Sequence, residues 1–532
     1  MRRVLLLALL AAACGPEPDR GLLYAHPEAR APFFVLDREA GVWRAARTGA
    51  SEASFPAVKA PGTFRVFVLG GSIARMFEGD GALADALTPL LPGRTVEVLN
   101  AGMSGYDSAR EELIAREVLD LGADAVVLLS GHNEFTTLPP PLPLWRLRLG
   151  LWAAARGLVR RPAASPRDEL PRAAARLAAF EASVRRMARA ARARGVAFVV
   201  VRPPLNLRDG APQGALPRRA DFATGWMRRL MGDCRGARAA WAAARPTDPV
   251  DAAVIEFLTA RCHEREGRSR DAAAAYARAL ELEAPLRGRC GAACAAVLAR
   301  VAAEEGALYA DAHADFLALS GALPPGLEAF HDRIHWRPER HPVVARSVAK
   351  ALAGAGLCAA PGPRPPAPPS PPRGPQGWLT VLRYAAWETQ NAAPAPSPVA
   401  LAFIERALEG WPGAAARPAL LEELAEDSRR QGGAWGQPGL ERAGPGFARH
   451  LSLARLLAGD APGAAALLAR SGASAHWEDR LHAAAALAAA GRRAGAVAEL
   501  EAAWALGEGA PDEARDEVLR AAAAALPVGL RP

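Results

Sequence analysis

The segment Arg65–Ser72, RVFVLGGS, narrows the choice of fold more than any other stretch of the chain. Val66, Phe67, Val68 and Leu69 form an apolar run that stops abruptly at Gly70-Gly71-Ser72. A short apolar run with β-branched residues, closed by turn formers, reads as a buried strand, and paired glycines permit a turn too tight for a Cβ. The next segment, about Ala74 to Leu90, reads as a helix. Ser72 would then lie at a helix N-terminus, where backbone N–H groups favour developing negative charge. By itself the octapeptide is equally a strand-to-helix turn that happens to hold a serine, so the rest of the chain decides.

Downstream, the strand–helix alternation continues. A strand at 95–99 leads into Asn100-Ala101-Gly102-Met103-Ser104-Gly105, and a helix is expected over 108–121. A third strand, 124–129, runs into Ser130-Gly131-His132-Asn133-Glu134. A helix at 168–194 precedes a fourth strand at 196–201. Strands alternating with helical patterns imply βαβ units, a parallel sheet and right-handed crossovers. In such sheets ligands bind beyond the carboxyl ends of the strands, and Ser72, Gly105 and Asn133 all fall there.

The alternation stops at about 213. From 213 to 303 the chain reads as helices in which Gly232, Ala237, Trp241 and Ala244 recur 35 residues later as Gly267, Ala272, Tyr276 and Ala279. That spacing resembles the tetratricopeptide repeat, whose period is about 34 residues. The sheet domain resumes at 304–358 with an extended segment at 307–314, then His331-Asp332-Arg333-Ile334-His335-Trp336 and a helix at 341–355. Residues 359–377 form a stiff proline-rich linker. Residues 378–532 read as a second, degenerate helical-repeat domain, or as a generic helical bundle. Residues 15–64 supply an extended lead-in with short strands, and 65–212 the first part of the sheet domain.

At the N-terminus, Arg2-Arg3 precede an apolar stretch, 4–13, too short to span a bilayer, which is the layout of a secretory signal peptide. It ends Leu10-Ala11-Ala12-Ala13-Cys14-Gly15, similar to a bacterial lipoprotein signal in which Cys14 is lipidated; Ala11-x-Ala13 also suits ordinary signal cleavage. Residues 1–14 are the expected signal, and multiple acylation at Cys14 would anchor the protein to a membrane of the cell envelope. The segment 144–161, with Trp145, Leu149, Trp152 and Leu158 among arginines, reads as an amphipathic helix, with a membrane-face or lid role as the alternative.

The formal charge of +9 is spread without a basic block, and Lys59 and Lys350 are the only lysines, so no nucleic-acid module is indicated. Beyond Cys14 the cysteines are Cys234, Cys262, Cys290, Cys294 and Cys358. Export makes disulfides possible, but connectivity cannot be read from spacing. Cys262-His263 with Cys290 and Cys294 matches no standard zinc spacing, so neither a metal nor another cofactor is expected.

Four blocks in order, Gly70-Gly71-Ser72, Asn100–Gly105, Gly131-His132-Asn133-Glu134 and Asp332-Arg333-Ile334-His335, resemble the SGNH (GDSL-like) hydrolase family over about 60–208 and 300–356. The resemblance implies a three-layer α/β/α parallel sheet, here with an inserted helical-repeat segment and a C-terminal all-α helical-repeat domain. It also implies Ser72 as nucleophile, His335 as base and Asp332 as its orienting acid, with Ser72 N–H, Gly105 N–H and the Asn133 amide as the oxyanion hole. The family commonly has Asp where this chain has Gly71 and Glu134; neither position transfers the proton. The expected function is an envelope-anchored serine esterase acting on O-acylated glycans or lipids. The alternatives are an O-acetyltransferase using the same triad, or a lipid-anchored scaffold with a vestigial core that binds a protein partner through its repeats.

Overall fold

The computed structural model describes residues 31–47, 50, 53–77, 81–134, 166–246, 248–362, 374–391, 396–411, 444–470, 477–506 and 513–526. The signal segment with Cys14, the 144–161 helix and most of the proline-rich linker lie outside them. No described helix is long and apolar enough to cross a membrane.

In chain order the strands are β1 Phe34–Asp37, β2 Val42–Ala45, β3 Ser54–Pro56, β4 Thr63–Gly70, β5 Thr95–Asn100, β6 Ala125–Leu129, β7 Ala197–Arg202 and β8 Leu308–Asp311. The helices are α1 Ser72–Phe77, α2 Ala82–Leu87, α3 Ser108–Leu119, α4 Pro166–Ala193, α5 Ala220–Leu230, α6 Cys234–Ala243, α7 Pro249–Arg265, α8 Ser269–Arg287 and α9 Ala292–Glu305. They continue as α10 Ala312–Leu319, α11 His341–Gly354, α12 Gly374–Asn391, α13 Pro398–Gly410, α14 Gly444–Leu457 and α15 Ala461–Arg470. The last three are α16 Trp477–Ala489, α17 Arg493–Ala505 and α18 Glu513–Ala525. The chain forms two compact units: residues 1–203, 292–312 and 344–363, and residues 204–291, 313–343 and 364–532.

Unit one holds a five-stranded parallel sheet of order β5-β4-β6-β7-β8. β4 and β6 are buried along their whole length, which is why they read as unbroken apolar runs instead of alternating ones. The expected lead-in is a three-stranded antiparallel sheet, β1-β2-β3. Phe34 and Phe55 staple it to β4 through Phe67, with ring centroids 5.9 and 5.6 Å apart. The single helix expected over 74–90 is instead α1 and α2, the second starting after Gly81 at φ 73°. The extended segment expected at 307–314 is shorter: β8 stops at Asp311 and α10 begins at once.

The divisions read from the sequence are corrected in three places, the first two being residues 204–212 and 313–343, expected in the sheet domain but found in unit two. Residues 292–303 were expected to complete the inserted repeat, but α9 belongs to unit one and packs on α4, β7 and β8. Val297, Leu298 and Val301 are buried there, and Arg185 and Arg189 of α4 clamp Glu305 at 2.9 and 2.8 Å. The run Ala292–Ala302 is apolar enough to look like one more alanine-rich repeat helix, and only its packing partner distinguishes the two.

Unit two is built of helix pairs: α5 with α6, α7 with α8, α12 with α13, α14 with α15 and α16 with α17, while α18 packs on α5. Gly232, Gly267, Gly459 and Gly491 occupy the same place, a left-handed residue between paired helices, with φ of 82°, 73°, 87° and 73°. Ala237, Trp241, Ala272, Tyr276 and Ala279 are all buried, so the repeated small and aromatic positions are the faces that pack. The segments 213–291 and 378–532 share one hydrophobic core. Ion pairs cross between them: the buried Arg229–Glu405 at 2.7 Å and Arg261–Glu405 at 3.0 Å, and the partly buried Arg406–Glu264 at 3.0 Å.

Candidate active site

The residues singled out in the sequence fall into two groups, one in each unit. In unit one, β4 lies between β5 and β6, so the loops leaving these three strands are neighbours at the carboxyl edge of the sheet. Ser72 opens α1, and Arg75 N–H donates to the Gly71 carbonyl at 3.1 Å as its helical turn closes. Asn100 ties the second loop to that turn: its amide donates to the Ala74 carbonyl at 2.9 Å, and its carbonyl accepts from Gly102 N–H at 2.8 Å. Met103 N–H donates to the Gly70 carbonyl at 2.9 Å.

Gly105 sits at φ 75°, a conformation that favours glycine, and Arg110 donates to its carbonyl at 2.9 Å while pairing with Asp107 at 3.0 Å. The orientation of that peptide is therefore set by a charged side chain one helical turn away. The Asn133 amide donates to the Tyr106 carbonyl at 2.8 Å. A Cβ on Gly71 would collide with the Asn133 amide nitrogen, so the residue before the serine is glycine because the third loop packs against its backbone. Ser72, Gly105 and Asn133 thus belong to three loops bonded to one another at one sheet edge.

Glu134, the other departure from the common family pattern, has a structural task. Its carboxyl group accepts from Ser108 N–H at 2.8 Å and bonds the Ser108 hydroxyl at 2.9 Å, at the start of α3. Burial first, and then the nearby Asp107, push this carboxyl up to about 8, and burial with Glu134 raises Glu111 as well. The unfolded chain would titrate such a group near 4.5, so the folded state holds the extra proton between that value and about 8. Stability from Glu134 is therefore full below the unfolded value and is lost as pH rises through the folded one. Glu134→Gln is expected to flatten the fall in melting temperature between pH 5 and pH 8; an unchanged slope would assign that dependence to other groups.

In unit two, Asp332 and His335 lie on the loop between α10 and α11. His335 Nδ1 is 2.6 Å from Asp332 Oδ2, and Asp332 Oδ1 accepts from the N–H groups of Ile334 and His335, both at 2.8 Å. Burial alone would raise the Asp332 carboxyl, but His335 and these hydrogen bonds outweigh it and hold it below the usual range. For His335 burial opposes the charged ring, yet Asp332 outweighs it and raises the imidazole. The loop is pinned by His331 N–H to the His335 carbonyl and Arg337 N–H to the Ala329 carbonyl, both 2.8 Å.

Residues that the motifs alone do not disclose hold this loop in place. Asn206 donates to the Asp332 carbonyl at 2.8 Å, and Arg333 donates to the Ala211 carbonyl at 3.0 Å. Arg333 and Arg289 both pair with Glu283 of α8, which is fully buried and also accepts from Gln213 N–H at 2.8 Å. The inserted helices therefore brace the Asp332–His335 loop. Breaking a buried ion pair by removing one charge is strongly destabilising, by about 3–5 kcal/mol. If His335 is the base that the family resemblance implies, Glu283→Gln is expected to lower kcat with KM little changed, because the loss falls on the placement of that loop. A rise in KM at unchanged kcat would place the effect on substrate binding instead.

Among the described residues no group of His, Cys, Asp and Glu side chains is arranged to hold a metal ion. Cys290 and Cys294 are disulfide-bonded, whereas Cys234, Cys262 and Cys358 are free.

No protein-family model matches the chain, and no curated protein matches it. Among solved structures it is similar to a GDSL-like lipase from Bacteroides thetaiotaomicron, at 12% identity over 55% of this chain and 88% of that one, with a TM-score of 0.27. It is also similar to an acetylxylan esterase from Geobacillus stearothermophilus, at 14% identity over 56% of this chain and 96% of that one, again with a TM-score of 0.27. At such scores the strand order and register described above, and not these likenesses, define the fold.

Proposed function

We propose that the chain is a serine esterase of the SGNH type, acting on O-acyl groups of a glycan or lipid. The observation that carries this reading is the Asp332–His335 pair. Asp332 receives a hydrogen bond from Nδ1–H, which fixes the tautomer with its lone pair on Nε2, the atom a general base needs. In the proposed reaction Ser72 Oγ attacks the acyl carbonyl while His335 takes its proton. The developing oxyanion is met by the N–H groups of Ser72 and Gly105 and by the Asn133 amide. His335 then returns the proton to the leaving alcohol, and water, activated the same way, releases the acid from Ser72.

The proposed location is the cell envelope, with Cys14 as the lipidated anchor; the signal-like N-terminus supports it, and the disulfide-bonded Cys290 and Cys294 agree with an oxidising compartment. The test is labelling of the full-length protein with a fluorophosphonate, followed by peptide mapping. Modification confined to Ser72 supports the reading. A folded protein that takes no label there would leave the chain without an activated serine, and the reading would fall.

A further inference from the structure

Asn133 and its chain neighbour Glu134 fasten the third loop of unit one to the second at two consecutive points. The Asn133 amide donates to the Tyr106 carbonyl at 2.8 Å. The Glu134 carboxyl spans Ser108, with one oxygen 2.8 Å from its N–H and the other 2.9 Å from its hydroxyl. Both residues are buried, so these bonds are shielded from water. Ser108 is itself a fixed point. It is the first residue of α3, and its N–H is one of the donors that a helix leaves without an internal partner. Beside it the cap Asp107 accepts from Arg110 N–H at 3.2 Å and pairs with the Arg110 side chain at 3.0 Å, while Arg110 holds the Gly105 carbonyl at 2.9 Å.

Packing alone does not call for an acid at position 134. A buried carboxyl is unfavourable unless hydrogen-bonded, and an apolar side chain would fill the same space. What the carboxyl supplies is direction: two bonds to one residue fix both the position and the rotation of its end, and through it the backbone beside Asn133. The Asn133 amide has two N–H bonds. One holds the Tyr106 carbonyl, and the other is the donor that the proposed reaction assigns to the oxyanion. Tyr106 therefore sets how the amide is turned, and Glu134 sets where the residue bearing it stands.

We propose that Glu134 is a positioning residue for ester hydrolysis, holding the Asn133 amide where the oxyanion develops through its two bonds to Ser108. This rests on the esterase reading above and adds a residue to it. Removing an oxyanion donor costs on the order of 10²–10³ in kcat, and a displacement of about 1 Å costs about 10². Aspartate at 134 is one carbon shorter and withdraws from Ser108. Glutamine keeps the length: its carbonyl accepts from Ser108 N–H and its amide donates to the Ser108 hydroxyl. Burial, and then Asp107, push the Glu134 carboxyl up to about 8, so near pH 7 it carries the proton that the glutamine amide replaces.

The test is steady-state hydrolysis of an activated ester at pH 7 by the full-length protein, with Ser72→Ala as the baseline and melting temperature as the control for folding. Glu134→Asp is expected to lower kcat about 30-fold with KM little changed, and Glu134→Gln to stay within about threefold of the wild type. Adding Glu134→Asp to Asn133→Ala is expected to cost no more than about twofold beyond Asn133→Ala alone, because Glu134 acts through that amide. Should the shortened acid disturb folding, Ser108→Ala removes one of the two bonds from the other side and is expected to lower kcat about fivefold at unchanged KM. Full kcat in Glu134→Asp or Ser108→Ala, a Glu134→Gln as slow as Glu134→Asp, or full additivity with Asn133→Ala would each overturn the role. A folded wild type no faster than Ser72→Ala would remove the esterase reading and this role together, whereas an active wild type matched by Glu134→Asp removes the role alone.

Discussion

Ser72→Ala is expected to lower kcat for an activated ester on the order of 10⁶-fold, by analogy with removal of a serine nucleophile elsewhere, while leaving the fold intact. Gly71 is constrained by the Asn133 side chain packed on it, and Asn100 binds the carbonyl of Ala74 inside α1, so the turn that bears Ser72 is held from both neighbouring loops. An alanine at position 72 adds no bulk to that turn and removes only the hydroxyl. A loss of only a few-fold would mean that the hydroxyl is not the nucleophile. The measurement is steady-state hydrolysis with melting temperature as the control for folding.

The second large effect is expected at Asp332. Asp332→Asn would keep the shape of the loop but place an amide against Nδ1, which favours the wrong tautomer, and a loss of about 10⁴-fold in kcat is expected. The pH dependence gives a separate check. His335 is held above its ordinary 6.5 by Asp332, and in the proposed role of base it would work only when neutral. The acid limb of kcat/KM in the wild type should therefore lie above 6.5, with activity rising as pH rises through it. In Asp332→Asn the support for the imidazolium is gone, burial dominates, and the limb should move to lower pH. A limb that stays where it was would mean that Asp332 does not set the charge of His335.

These predictions draw on different depths of the sequence. The strand ending in Gly70-Gly71-Ser72, the two loops at Gly105 and Asn133 and the Asp332-x-x-His335 spacing were legible because their physics is local: apolar runs, turn residues and a side-chain pair three residues apart. The parallel sheet followed from the same alternation, and so did the paired helices, whose turn glycines recur before similar small and aromatic positions. The assignment of 292–303 to the repeats failed because an alanine-rich helix carries little information about its partner. Val297, Leu298 and Val301 suit a helix neighbour or a sheet equally well.

What only the tertiary structure decided is contact at a distance along the chain. Glu283 meets Arg333, 50 residues away, and Asn206 meets Asp332, 126 residues away. Glu134 closes the start of α3 from a loop after β6. In the linear sequence each is one charged or polar residue among many, with no periodicity to mark it. Their roles arise because burying such groups is unfavourable unless each finds a partner, and the partner is chosen by the packing of whole elements. The sequence by itself determined the strands, the turns and the residues at their ends; the packing decided which helices brace the Asp332–His335 loop and which buried groups were left to find one another.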